Sequence, residues 1–145
     1  MVGSKGELLS FEADALQLDG VLKSDGFIAP LGDNTFKIGT TYDNDDKDPS
    51  PTAHGRQTLI EKLERLISCP YRITGQMAGI RPTVKDRRPL VGVHPKYKNL
   101  FILNGLGTHG ALLAPYTATS LYDFIENGKM IDKEMNITRH SRFFQ

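Results

Sequence analysis

Gly105-Leu106-Gly107-Thr108-His109-Gly110 lies between two strongly patterned segments of a 145-residue chain. Before it stands Leu100-Phe101-Ile102-Leu103-Asn104, an unbroken apolar run of the kind that forms a buried strand. After it comes a helical pattern from about Ala111 to Glu126, with Leu113, Tyr116, Leu121, Phe124 and Ile125 available for a buried face. Pro115 falls near the expected helix start, where a missing N–H matters least, and Asn127-Gly128 provides a stop. Strand, Gly-x-Gly-x-x-Gly, helix is formally the dinucleotide fingerprint. A lone match is weak, because that fold also needs a second parallel strand ending in an acid about twenty residues on. Lys129-Met130-Ile131-Asp132-Lys133-Glu134 does not read as a buried strand, and few residues follow it. The local physics stands apart from that objection. Glycines admit close approach to the backbone, and a helix N-terminus offers unpaired N–H groups that favour a negative charge or a carbonyl oxygen. A tight turn without a ligand fits the glycines equally well.

Upstream, the chain reads as short strands separated by turns. Leu8-Leu9-Ser10-Phe11, Gly20-Val21-Leu22-Lys23 and Gly26-Phe27-Ile28-Ala29-Pro30 are divided by Asp19-Gly20, Asp25-Gly26 and Gly32-Asp33-Asn34. Thr35 to Thr40 alternates and is expected to close an antiparallel meander. Asp43 to Pro51 is polar, but it lacks the turn glycine and closing glutamate of an EF-hand and is expected to be a solvated loop rather than a metal site. A helix is expected over Gly55–Ser68, with Leu59, Ile60, Leu63, Leu66 and Ile67 on one face. Tyr71–Ile80 reads as a long strand ended by Arg81-Pro82, since proline has no donor for the ladder. Pro89-Leu90-Val91-Gly92-Val93 is a further short strand.

A charged content of 24% and a net charge of +1 give no field that would recruit nucleic acid or a membrane surface. Cys69 is the single cysteine, which excludes an internal disulfide framework, and it reads as a small apolar residue at a helix end. No apolar run approaches the ~20 residues of a membrane span and no hydrophobic signal core opens the chain, so a cytoplasmic location is the expectation. Arg81, at the end of its strand, has the planar fork suited to a carboxylate. A surface arginine or an ion pair with Asp86 is the plainer alternative.

Together these pieces carry a resemblance. Ala78-Gly79-Ile80-Arg81-Pro82-Thr83-Val84-Lys85-Asp86, then Pro89-Leu90-Val91-Gly92, then Asn104 to Pro115 resembles the C-terminal third of the D-amino-acid oxidase / glycine oxidase-like family of FAD-dependent oxidoreductases. Lys5-Gly6-Glu7-Leu8-Leu9, Phe27-Ile28-Ala29-Pro30, Lys37 to Tyr42 and Arg142-Phe143 are similar to other family elements, in the family's order.

The resemblance implies an α+β fold: an antiparallel substrate-domain sheet with a covering helix over residues 1–76, and the C-terminal strand-loop-helix part of an FAD-binding domain over residues 77–145. It implies oxidation of an amine or amino acid to an imine by hydride transfer to flavin. It places Arg81 on the substrate carboxylate, Phe27 and Tyr42 in the substrate cavity, and His109 beside substrate or flavin, where an ordinary solvated loop histidine is the alternative. Gly79, Gly107, Thr108, His109, Gly110, Ala111 and Leu112 fall on cofactor-binding positions; no catalytic side chain and no metal ligand is assigned. The family holds the ADP part of FAD with an N-terminal glycine fingerprint that nothing before Gly105 supplies. The chain is therefore expected to be a fragment with an incomplete FAD site, inactive alone, partnered by the N-terminal FAD-binding portion of the same protein and by a small amine or amino acid. Exposed sheet edges make association into a homo-oligomer a further expectation. The alternatives are a non-catalytic interaction module derived from such an enzyme, or an NAD-binding domain.

Overall fold

A computed structural model describes residues 1–143. The architecture is α+β. It divides into two compact units, one of Ser4–Ile80 and one formed by Met1–Gly3 with the chain from Arg81 onward.

In the Ser4–Ile80 unit, a five-stranded sheet has the order β2-β3-β4-β1-β5. Its strands are β1 (Val2–Glu12), β2 (Leu22–Ser24), β3 (Gly26–Gly32), β4 (Thr35–Gly39) and β5 (Arg72–Thr83), of which β1 and β5 run across the unit boundary. Strands β2, β3 and β4 form the meander expected from the turn residues, but β4 does not close it. Strand β1 pairs antiparallel with β4, Leu8 opposite Gly39 and Phe11 opposite Phe36, and so lies inside the sheet. That place follows from its composition: Leu9 and Phe11 are fully buried on one side while Leu8 and Ser10 face the other.

Helix α1 (Ala53–Leu66) covers the Leu9–Phe11 side. Thr52 is its N-cap, accepting a hydrogen bond from Gly55 N, so the helix starts two residues before Gly55. Gly55, Leu59 and Leu63 recur every four residues and are its buried stripe. Leu59 and Leu63 meet Leu9, Phe11, Ala13, Ile28, Phe36 and Ile38 in the core, with Cys69 packed half-buried beside them.

Strand β5 corrects one expectation, since it continues through Arg81 and Pro82 to Thr83. It lies at the sheet edge, where a residue without an N–H leaves no central ladder bond unmade.

In the second unit, β6 (Leu90–Val93) and β7 (Phe101–Asn104) form an antiparallel hairpin. Helix α2 (Gly110–Asn127) follows a 3-10 turn at Gly107–His109 and stops at Gly128, whose φ of 65° suits glycine. Its inward stripe is Leu113, Thr117, Leu121 and Phe124, so Tyr116 and Ile125, each one position off that stripe, are exposed rather than buried. Pro115 lies in the second turn, not at the start. Among the described residues the segment after α2 forms no strand, yet Ile131 and Met135 are buried against Val91, and Val91 N donates to Met135 O at 2.8 Å. Among the described residues no helix is long and apolar enough to cross a membrane.

Candidate functional site

The glycine turn is built by close packing within the second unit. Gly105 is buried with φ +72°, and a Cβ there would stand 2.5 Å from Val84 Cγ2. Only glycine satisfies both constraints. Asn104 Oδ1 accepts a hydrogen bond from Gly105 N at 2.7 Å and fixes the strand exit. Gly107 has φ +55°, and a Cβ added there would stand 3.5 Å from Thr83 Cγ2. The turn thus rests on Thr83 and Val84, the residues that directly follow Arg81-Pro82. His109 N donates to Leu106 O at 3.2 Å, and Thr108 Oγ1 lies 3.2 Å from His109 Nδ1.

No side chain caps α2. The first-turn N–H groups of such a helix lack intrahelical partners, and they carry the positive end of its dipole. Thr108, His109, Ala111 and Leu112 are exposed around them, Leu112 at 77%. An electron-rich ring edge bearing carbonyl oxygens fits this arrangement, because the backbone itself supplies the donors. The residues present therefore suit the ring end of a flavin. Arg81 is half-buried near the end of β5. Asp86, weighed from sequence as its partner, is engaged by Arg139, whose Nε donates to Oδ2 at 3.0 Å. That hydrogen bond, assisted by Arg88 N and opposed by burial, holds Asp86 below the ordinary carboxylate range.

The Ser4–Ile80 unit places Phe27 and Tyr42 on one face of its sheet. Leu8, Gly39 and Phe27 stand opposite one another across β1, β4 and β3, on the side away from Leu9 and α1. Lys5 pairs directly with Asp43 on the α1 side, which turns Tyr42 to the other face, 63% exposed. Gln76 reaches to the α1 side, so alternation places Met77 and Gly79 with Phe27.

Sequence patterning missed the polar network that anchors this face from behind. Glu7 is buried and accepts hydrogen bonds from Thr52 N at 3.0 Å, Thr52 Oγ1 at 2.7 Å and Gln76 Nε2 at 2.7 Å. Burial works to raise its pKa, but these bonds and the Lys5 charge outweigh it and hold the carboxyl below its ordinary value. Lys5, also buried, meets Asp46 Oδ2 at 2.5 Å; that bond raises the lysine pKa against its desolvation. Lys5 N donates to Asp43 O at 2.7 Å and Asp43 N returns a bond to Lys5 O at 3.0 Å. Glu7 N donates to Thr41 Oγ1 at 3.0 Å. Both backbone neighbours of Tyr42 are thereby tied to β1. The available signal was the spacing of Lys5 and Glu7, in phase with Leu9 and Phe11. The loop expected to be solvated is exposed for the most part, with Asp46 drawn in by Lys5.

Residues 1–123 match the family described as FAD dependent oxidoreductase, and the chain belongs to that family. Among individual proteins it is similar to the glycine oxidase of Bacillus subtilis (strain 168), 30% identical over 135 residues that make up 91% of this chain and 35% of that protein. It is 31% identical over 124 residues to the glycine oxidase of Bacillus licheniformis, covering 83% of this chain and 34% of the relative. The crystal structure of glycine oxidase from Geobacillus kaustophilus superposes with a TM-score of 0.83 at 27% identity, over 95% of this chain and 39% of that one. The chain thus spans about a third of the length of the curated relatives it matches.

Proposed function

We propose that this chain supplies the substrate sheet and the ring-end cofactor contacts of a flavoenzyme that oxidises an amine or amino acid to an imine. The observation that carries this is the glycine turn at the uncapped end of α2, resting on the residues that follow Arg81. Bound FAD supplies the hydride acceptor for the carbon beside the amine. The chain's own groups position and stabilise. Backbone N–H groups of Gly107 to Leu112, with Gly79 nearby in the motif, receive the electron-rich ring edge and favour the charge that reduction places there. Arg81 holds the substrate carboxylate by two parallel hydrogen bonds. Phe27 and Tyr42 line the substrate cavity, and His109 meets substrate or flavin from the turn.

The ADP part of FAD falls to an N-terminal FAD-binding portion, the chain's principal partner in this scheme. Alone, the chain is inactive and does not hold FAD tightly. A cytoplasmic location and homo-oligomeric association complete the proposal. Two measurements test it. In the active holoenzyme, Arg81→Ala should raise KM for a carboxylate-bearing amine about 100-fold, since removing one partner of a charged, hydrogen-bonded pair costs about 3 kcal/mol. An unchanged KM would remove Arg81 from the site. Flavin titration of the chain with and without the FAD-binding portion should give stoichiometric binding only in the mixture, and Gly107→Val should weaken it.

A further inference from the structure

Arg139 lies in the 3-10 segment Ile137–Phe143, yet only 15% of its side chain is exposed. Each nitrogen of its guanidinium has an acceptor. Nε donates to Asp86 Oδ2 at 3.0 Å, Nη2 donates to Arg88 O at 3.0 Å and to Asp86 Oδ1 at 3.4 Å, and Nη1 donates to Asn136 O at 3.2 Å. The planar fork thus grips the turn between β5 and β6 on both sides, at a carboxylate and at a carbonyl. The segment that carries Arg139 is itself braced. Val91 N donates to Met135 O at 2.8 Å, Val91 bridges to Asn136, and Asn136 Oδ1 accepts from Thr138 N at 2.9 Å.

What Arg139 grips leads directly to the glycine turn. Arg87 N donates to Val84 O at 2.9 Å, and Arg88 N donates to Asp86 Oδ1 at 3.1 Å. Val84 is buried against Gly105, and Thr83 borders Gly107. Residues 85–88 are all exposed, so polar contacts rather than packing hold them. Two further ionic contacts of this stretch are longer, His140 Nε2 to Asp86 Oδ2 and Arg88 Nη1 to Glu134 Oε1, both 3.6 Å.

We propose that Arg139 is a positioning residue for the glycine turn: through Asp86 and Arg88 it keeps Val84 and Thr83 against Gly105 and Gly107, and so sets the direction of the first-turn N–H groups of α2. The proposal rests on the flavin-facing reading of that turn and adds to it a residue 29 positions beyond Gly110. Arg81 belongs to β5, which its pairing with β1 holds. Release of Arg139 therefore disturbs the cofactor side and leaves substrate capture in place.

Amide hydrogen exchange on the chain reads the turn without flavin. In Arg139→Ala, the amides of Gly105 and His109 should exchange at least about tenfold faster, as loss of a charged hydrogen bond provides, while those of Ile28 and Ile38 in the other unit keep their rates. In the holoenzyme, the same variant should lower kcat per bound flavin about tenfold, within the ~100-fold that a 1 Å misplacement can cost, with KM held within about twofold. Arg139→Lys keeps the charge but reaches one acceptor at a time, and should fall between wild type and Arg139→Ala in both measurements. If Arg139→Ala does not fold, Arg139→Lys carries the test. Exchange that rises equally in both units, or not at all, overturns the proposal, and so does an unchanged kcat or a loss confined to KM. A flavin-loaded wild type that oxidises no amine overturns the amine-oxidising reading instead, and the exchange rates then decide the role of Arg139.

Discussion

In the Ser4–Ile80 unit, eight buried apolar residues from three strands, α1 and the loop after β1 close around one another. In the unit formed by Met1–Gly3 and the chain from Arg81 onward, the corresponding cluster is Val91, Ile131 and Met135. The helices differ in the same sense. Helix α1 buries Leu59 and Leu63 completely and is capped by Thr52. Helix α2, at 18 residues the longer, has Thr117 as its one buried residue and leaves Leu112, Tyr116, Tyr122 and Ile125 exposed. Those four side chains spread over about half of the helix circumference, so α2 leaves much of its apolar surface uncovered within the chain. One unit is organised around its own interior; the other presents its surface, and the turn through which we propose that it meets a cofactor belongs to that second kind.

This contrast can be broken by mutation. Leu63→Ala should cost about 2–5 kcal/mol in chemical unfolding, whereas Leu121→Ala, at the half-buried margin of the smaller cluster, should cost about half as much or less. Equal losses would erase the distinction between the cores. Glu7→Ala removes the shared acceptor of Thr52 and Gln76 and should destabilise by about 2–3 kcal/mol, with Glu7→Gln milder; urea midpoints decide.

Acid should weaken both units through carboxylates whose folded pKa is depressed, Glu7 in one and Asp86 in the other being the two most enclosed. Glu7 and Asp86 have folded pKa values below their unfolded ones. Each therefore contributes stability that is complete above the ordinary carboxyl range and is lost as pH falls through the depressed folded value. Unfolding followed from pH 6 to 2 should show that loss, and Glu7→Gln should flatten the part belonging to the Ser4–Ile80 unit. Gly128→Ala forces a Cβ into the left-handed region and should cost about 1–2 kcal/mol, read as a lower Tm. The smallest effect belongs to the surface helix: Tyr116→Ser should shift stability by less than about 0.5 kcal/mol in the chain alone. If it unfolds the chain, α2 is not a presenting face.

Local features were legible where one residue type has one physical use. The α1 stripe, the glycine stop at Gly128 and the turns between β2, β3 and β4 could be read from spacing and backbone demands. What escaped depended on neighbours distant in the chain. Strand β1 looks like a short opening strand until β4 and β5 flank it. Pro82 reads as a terminator unless the strand is known to lie at an edge. Tyr116 and Ile125 are apolar enough for the buried face, and their misassignment arose because Thr117 holds the central position of that stripe. In the candidate site, Arg81 and the glycine turn were visible as motifs. The Lys5–Glu7 network was not, since ionic residues in strand phase normally signal a solvent-facing side.

Gly55 and Glu7 give one of these features a longer reach. A Cβ at position 55 would stand 2.3 Å from Glu7 Oε1, so the helix can approach β1 only while one residue lacks a side chain and the other carries an acid of suitable length. The two positions, 48 apart in sequence, are therefore coupled: a side chain at position 55 fits only beside a shorter residue at position 7, and filling the one without shortening the other pushes α1 off the sheet.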